Sequence, residues 1–291
     1  MPQTPDPSTA SAVVNRKPMM SLPFDVLVMI LGWLRPSEAF KVAHVSKDFK
    51  ALIYSAGYAT SVINTFLKED DSSDRNELYY FRKAFFLAPS AAFQQVFALK
   101  QAQLTTELYF GWFTHPSEIP DALGQFRCLQ TLDIVKCHVL GSIPTSLSNL
   151  TQLKSLNIGE CDTLSGPIPV ELGMLTQLER LSLHSNKQLN GPLHPEWGTQ
   201  LLQLQRLDLS GTAVTGPIPR EWGNMQNLQM LFLAGTLMNG PIPRELGRLR
   251  KLRFLNLYDS HTTGLIPREI KRIRKLNLNV DENPGIEGYE E

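Results

Sequence analysis

The sequence predicts an α/β solenoid, a stack of short repeats forming one long parallel sheet, preceded by a small all-α unit. Three observations predict it. An apolar–Pro pair or its variant recurs every 24 or 25 residues, at Ile119-Pro120, Ile143-Pro144, Ile168-Pro169, Leu193-His194, Ile218-Pro219, Ile242-Pro243 and Ile266-Pro267. A Leu-x-x-Leu-x-Leu signature holds one phase between them. Residues 19 to 103 instead carry apolar side chains at helical spacing. A fixed period of this length means stacked repeats, and such a chain offers a long repeated surface for another macromolecule rather than a pocket.

In chain order, residues 1 to 18 are rich in Pro, Ser, Thr and Ala without periodicity and read as a disordered tail. Residues 19 to 56 read as two or three short helices. Leu22-Pro23 opens the first, with Ser21 placed to cap it, and Pro36-Ser37-Glu38 restarts a second. Arg16 and Lys17 precede the apolar stretch Val26 to Leu34, which has some look of a signal peptide. Against that, Pro23 breaks its start, Asp25 sits at its edge, Arg35 ends it, and Leu22, Val26, Leu27, Ile30, Leu31 and Leu34 follow helical spacing. The expectation is an intracellular protein, cytoplasmic or nuclear. No apolar stretch approaches the roughly 20 residues of a membrane span.

Residues 57 to 103 carry further helical stripes, such as Leu78, Phe81, Phe85 and Phe86, and read as a linker that caps the first edge of the solenoid. The repeats occupy 104 to 283. Their strand signals are Leu129/Leu132/Ile134, Leu153/Leu156/Ile158, Leu178/Leu181/Leu183, Leu204/Leu207/Leu209, Leu228/Leu231/Leu233 and Leu252/Leu255/Leu257. A degenerate first strand at Leu108/Phe110 and a truncated last one at Leu276/Leu278/Val280 bring the expected number to eight. Period two puts each Leu pair in the core and the residue between them on the open, concave face. Residues 284 to 291 read as an acidic tail.

Most residues that suggest chemistry have a repeat explanation. Cys137 and Cys161 share one repeat position with Asn186, Thr212, Thr236 and Ser260, where a small side chain can hydrogen-bond buried backbone. Cys128 falls at a neutral surface position. Gly141, Gly166, Gly191, Gly216, Gly240 and Gly264 precede the apolar–Pro elements as turn residues rather than a phosphate loop. Glu171, Glu196, Glu221, Glu245 and Glu269 follow the Pro position, where capping and helix-dipole duty on a short helix accounts for them. His184, His194 and His261 make no metal-ligand spacing. No nucleophile–base pair or metal cluster stands out, so neither an enzyme nor a cofactor is expected.

The residues expected to project from the open face are the informative ones. Arg180 and Arg206 fall on adjacent strands, next to His184 and Asp208. Met230, Phe232, Phe254 and Tyr258 form an apolar and aromatic group on the strands beyond. Arginine beside aromatics is the composition of interface hot spots, so Arg180, His184, Arg206, Asp208, Phe232, Phe254 and Tyr258 are the candidates for holding a protein. The 291 residues balance 28 basic against 28 acidic side chains, and no basic run exceeds a few residues, which gives no electrostatic case for nucleic acid. Three cysteines argue against a disulfide framework.

The repeat pattern resembles leucine-rich repeats of the plant-type subclass, LxxLxLxxNxLxGxIPxxLGxL, as in Ile218-Pro219-Arg220-Glu221-Trp222-Gly223-Asn224-Met225. Residues 21 to 53 resemble the F-box motif. Leu22, Pro23, Asp25, Ile30, Leu31, Leu34, Pro36, Val42, Val45 and Lys47 match it; Ser46 replaces its usual Cys and Phe49 its usual Trp. The F-box resemblance implies binding to the Skp-type adaptor of a cullin–RING ubiquitin ligase through Leu22, Pro23, Ile30, Leu31, Leu34, Val42, Val45 and Phe49, with the repeats holding a protein substrate. Two other readings stand beside it. One is a scaffold without a ligase link. The other is a secreted recognition protein, which the Ile-Pro subclass would suit. That reading needs paired-cysteine caps, and Asn149-Leu150-Thr151, its one glycosylation sequon, lies within the repeat consensus.

Overall fold

A computed structural model of the protein describes residues 105–111 and 116–290, with Gln94 and Ala98 in addition. The chain divides into two compact units, Met1–Ser73 and Asp74–Glu291, and every described residue belongs to the second. The expected tail, the motif residues Leu22 to Phe49 and nearly all of the expected linker lie outside the described residues.

The long sheet has the expected eight strands. They are β1 (Glu107–Gly111), β2 (Thr131–Val135), β3 (Ser155–Gly159), β4 (Arg180–Ser182), β5 (Arg206–Asp208), β6 (Met230–Phe232), β7 (Phe254–Asn256) and β8 (Asn277–Asn279). They lie side by side in chain order, all parallel. The period-two Leu pattern sets the register. Leu132 pairs with Leu156, Leu156 with Leu181, Leu181 with Leu207, and the row continues through Leu231 and Leu255 to Leu278. A slip by one residue would turn every Leu of a strand to water, so burial locks the alignment. The Leu residues from 132 to 255 in this row are fully buried.

Between one strand and the next, each repeat makes a single helical turn. Five are 3-10 turns: Asp121–Gln125, Thr145–Asn149, Val170–Met174, Arg220–Asn224 and Arg244–Arg248. Trp197–Gln200 and Arg268–Lys271 are α-helical turns. Each inserts a large apolar residue into the core. Leucine does this in most turns, but Trp197 and Trp222 do it in adjacent ones. Their rings stack 6.4 Å apart and 6° from parallel, and the indole nitrogens donate to the carbonyls of Val170 and His194. In five of the seven turns the next position is a glycine packed too closely for a side chain: a Cβ on Gly223 would overlap the backbone carbonyl of Glu245.

The glutamates of these turns do not cap them as expected. Pro fills the N-cap position of all but the Trp197–Gln200 turn, and none of the caps has a side-chain hydrogen bond. Glu221, Glu245 and Glu269 pair instead with the preceding Arg220, Arg244 and Arg268. The carboxyl of Glu221 is held below the usual range by its own backbone N–H and by Arg220. A one-turn helix has little dipole to exploit, and these pairs, whose arginines lie largely in water, contribute little stability.

A second set of strands carries no strand signature in the sequence. Ser165–Pro167, Gln188–Pro192, Ala213–Gly216 and Leu237–Met238 form a four-stranded parallel sheet just before the apolar–Pro positions. Ser117–Glu118 pairs with Val139–Leu140. Gly240–Pro241, Thr262–Ile266 and Gly285–Tyr289 form a third sheet. Stacking places equivalent turns at ladder distance, so polar turn residues pair without any β-propensity; the Ser165 N–H donates to the Gly141 carbonyl at 2.8 Å. Gly216 takes φ 81° with open space where its Cβ would be, so conformation alone demands glycine there. The last of these strands corrects the reading of residues 284 to 291 as an acidic tail: residues 285 to 289 extend the repeat ladder, with the acidic side chains of Glu287 and Glu290 exposed beside it.

Candidate functional site

The strands β1 to β8 place their outward side chains in straight columns. One column runs Thr131, Ser155, Arg180, Arg206, Met230, Phe254 and Asn277; the next runs Asp133, Asn157, Ser182, Asp208, Phe232, Asn256 and Asn279. Stability comes from the inward Leu rows, which leaves these columns free to vary.

Near the middle of the sheet they assemble one connected cluster. Arg206 Nη2 donates to Asp208 Oδ2 at 2.9 Å, and its guanidinium carbon lies 4.7 Å from the centre of the Phe232 ring. The same guanidinium reaches Met230 Sδ at 3.7 Å, and Phe232 meets Phe254 with ring centres 6.5 Å apart. Asp208 also accepts the backbone N–H of Ser210. Arginine is thus fixed by a carboxylate on one side and an aromatic face on the other, a pre-ordered platform that loses little entropy when a partner settles on it. Phe254 within the cluster and Tyr258, four residues further along the chain, stay exposed, at 39% and 43% of their full surface. Asp208, expected to be presented at the surface, is buried. Burial beneath its own arginine turns it from a contact residue into a support for Arg206.

Arg180 lies beside Arg206 in register, exposed, with Nε donating to Ser155 Oγ at 3.4 Å. His184 does not join the arginine–aromatic cluster. Its ring covers Gly159, where a Cβ would collide with the imidazole. Its Nδ1 lies 2.8 Å from Ser182 Oγ and its Nε2 3.9 Å from Glu160. Glu160 also pairs with Lys136 at 3.7 Å. Asp133 accepts from Asn157 Nδ2 at 2.9 Å, and burial pushes its carboxyl above the usual range against the pull of that bond and of His184. Met230, Ser182 and Glu160 complete these contacts; the first two belong to the expected outward columns, whereas Glu160 follows its strand and gave no periodic signal.

The shared polar position runs beneath this face as a ladder. Thr212, Thr236 and Ser260 donate to the carbonyls of Leu209, Leu233 and Leu257 within their own repeats. Asn186 does more: Nδ2 donates to Leu183 O and, across the repeat boundary, to Ile158 O, while Oδ1 accepts from the Cys161 N–H. Asn283, which lies in the truncated last repeat without the full signature, makes the same bridge from Leu257 O to Ser260 N. Cys137 and Cys161 sit in this ladder with their thiols on carbonyl oxygens, and the Cys161 thiol is pushed far up by its hydrogen bond with Cys137 and by burial. A protonated, buried thiol is inert. In the native protein iodoacetamide is therefore expected to label Cys128 alone and to reach Cys137 and Cys161 only in denaturant; mass spectrometry of tryptic peptides reads this directly.

His194 is held by the Ile168 carbonyl and the Trp197 ring. Among the described residues, no group of three or more His, Cys, Asp or Glu is placed to hold a metal ion, and no helix is long and apolar enough to cross a membrane.

The model of the F-box domain matches residues 19–57, and that of the leucine-rich repeat matches 128–150 and 203–225. Receptor-like protein 50 of Arabidopsis thaliana is 40% identical over 48 residues, 16% of this chain and 5% of that protein. The ectodomain of the Arabidopsis thaliana receptor kinase GASSHO1/SCHENGEN3 superposes with a TM-score of 0.59 at 32% identity, covering 64% of this chain and 24% of that one. The HAESA ectodomain, from Arabidopsis, solved with a peptide hormone ligand, gives 0.59 at 28%, covering 68% and 32%. A plant ice-binding protein gives 0.55 at 29%, covering 60% and 56%. The chain thus spans well under two thirds of each of these proteins.

Proposed function

From a chain that joins an F-box to a leucine-rich-repeat solenoid, we propose the substrate-recognition subunit of a cullin–RING ubiquitin ligase. In this reading the F-box binds the Skp-type adaptor and the solenoid holds a protein substrate. The F-box match over residues 19–57 carries the proposal. It covers the apolar stretch that would otherwise suggest a signal segment, and it supports a cytoplasmic or nuclear location. An F-box docks by helix packing: Leu22, Ile30, Leu31, Leu34, Val42, Val45 and Phe49 supply the apolar contacts at helical spacing, with Pro23 at the start. The substrate side is supported by the ordered Arg206–Phe232–Phe254 cluster, a composition suited to protein contact, and by the HAESA ectodomain, a similar solenoid that holds a peptide. The protein would perform no bond chemistry itself; tethering raises the effective concentration of substrate lysines near a ubiquitin-carrying enzyme.

Co-purification of the full-length protein with the Skp-type adaptor tests the reading, with Leu31→Asp and Leu34→Asp as controls. A charge placed in an apolar docking face is expected to weaken the complex by about 100-fold or more. Failure of the folded wild-type protein to retain adaptor would overturn the proposal. The likeness to receptor ectodomains favours a secreted recognition protein as the second reading, and export of the full-length chain from plant cells would decide for it.

A further inference from the structure

The repeats stack two basic turns at the amino-terminal edge of the last two strands of the long sheet. The turn that leads into β7 carries Arg248, Arg250, Lys251 and Arg253, and the turn that leads into β8 carries Lys271, Arg272, Arg274 and Lys275, all exposed. Between residues 244 and 275 the chain has ten Lys and Arg against three Asp and Glu, although the whole chain is neutral. The turns touch: Arg253 Nη1 donates to the Arg274 carbonyl at 3.0 Å. The repeat does not require this charge. In the preceding repeat the positions of Arg248, Arg250, Lys251 and Arg253 hold Asn224, Gln226, Asn227 and Gln229. The backbone is the same in both, with the Arg250 N–H on the Arg248 carbonyl at 2.9 Å and the Gln226 N–H on the Asn224 carbonyl at 2.8 Å. Among the described residues, no carboxylate forms an ion pair with any of the eight cations. Lys251 leans on Asn227 Oδ1 and Lys271 on the Tyr289 ring, contacts that leave their charge uncompensated.

We propose that this edge docks an acidic segment of a protein partner, its carboxylates on the two basic turns and its apolar neighbours on Phe254 and Tyr258. The inference rests on the reading of the solenoid as a protein-holding surface and names the chemistry it selects. Charge complementarity sets the sign of the occupant, and the predominance of arginine favours forked carboxylate contacts. Continuity with the aromatic cluster favours protein over nucleic acid: Phe254 follows Arg253 directly, and the charge covers only two turns, about 5 Å apart, too narrow to track a phosphate backbone.

Fluorescence anisotropy tests it, with the full-length protein and a fluorescein-labelled peptide made of a run of glutamates followed by Leu-Phe. The wild type is expected to bind, with affinity falling steeply from low to physiological salt. The variant R250E/K251E/R274E/K275E is expected to lose about tenfold or more in affinity, whereas R127E, at the equivalent turn of the first repeat, stays within about twofold. All four reversals lie on exposed side chains, and a thermal melt of the variant confirms its fold. Absence of peptide binding by the wild type, or equal binding by the variant, would overturn the proposal. So would a single-stranded oligonucleotide that displaces the peptide at lower concentration. Adaptor co-purification is measured on the same proteins, so failure of the ligase reading is distinguished from failure of this edge.

Discussion

Alanine at Arg180, Arg206, Phe232 and Tyr258 together is expected to reduce retention of the solenoid's protein partners by about 100-fold or more, with the fold preserved. Hot-spot truncations commonly cost 2 kcal/mol or more each and overlap, so the combined loss is set by the cluster rather than by a sum. The geometry changes how the variant is built. Asp208 has only 11% of its side-chain surface exposed, against 42% for Arg206, and the arginine is its ion-pair partner. Arg206→Ala alone leaves a buried carboxylate with the Ser210 N–H, at a cost of about 1–3 kcal/mol. That penalty would be mistaken for lost contact if partner retention were the only readout. Adding Asp208→Asn removes the stranded charge, and the five-site variant is expected to melt within a few degrees of wild type. Quantitative mass spectrometry of proteins cross-linked to the full-length chain, with and without the changes, gives the comparison. Unchanged retention would move the partner site off the long sheet.

The solenoid was legible because its determinants are periodic and inward. Leu132, Leu156 and Leu181 recur in phase, and period two is enough to say which way each points. Features set by neighbouring repeats were less legible. The side sheets came from stacking, since Ser165 and Gly166 look like turn residues until the Gly141 carbonyl lies within reach of Ser165. The same limit explains the basic edge. Along the chain Arg250-Lys251 and Arg274-Lys275 are only short basic runs, yet the repeat brings them together. Of the expected binding residues, Arg206, Phe232 and Phe254 meet because register places them in adjacent columns. His184 separates because the missing side chain of Gly159 opens a berth for its ring, and Asp208 sinks because Arg206 lies over it. Column position alone carries neither effect.

Asn186→Leu is expected to lower stability by about 2–4 kcal/mol, because it strands three buried backbone groups at once: the Cys161 N–H and the carbonyls of Ile158 and Leu183. Thr236→Val is the measure of the ordinary case. Thr236 serves only Leu233 O within its own repeat, so its loss should cost about 1 kcal/mol. Asn186→Thr should fall between the two, since threonine can recover the Leu183 carbonyl, as Thr212 and Thr236 do in their repeats, but cannot span to Ile158 and Cys161. Solenoid stability is a sum of repeat terms and nearest-neighbour terms. Asn186 contributes to a neighbour term, between the repeats of β3 and β4, whereas Thr236 contributes to a repeat term. The two substitutions should therefore differ in kind as well as size. Asn186→Leu is expected to uncouple the repeats before the boundary from those after it, so that urea unfolding broadens and its apparent m-value falls, while Thr236→Val shifts the midpoint at constant m. Equal losses with unchanged m-values would mean that the leucine rows alone couple the repeats and that the asparagine bridge is dispensable.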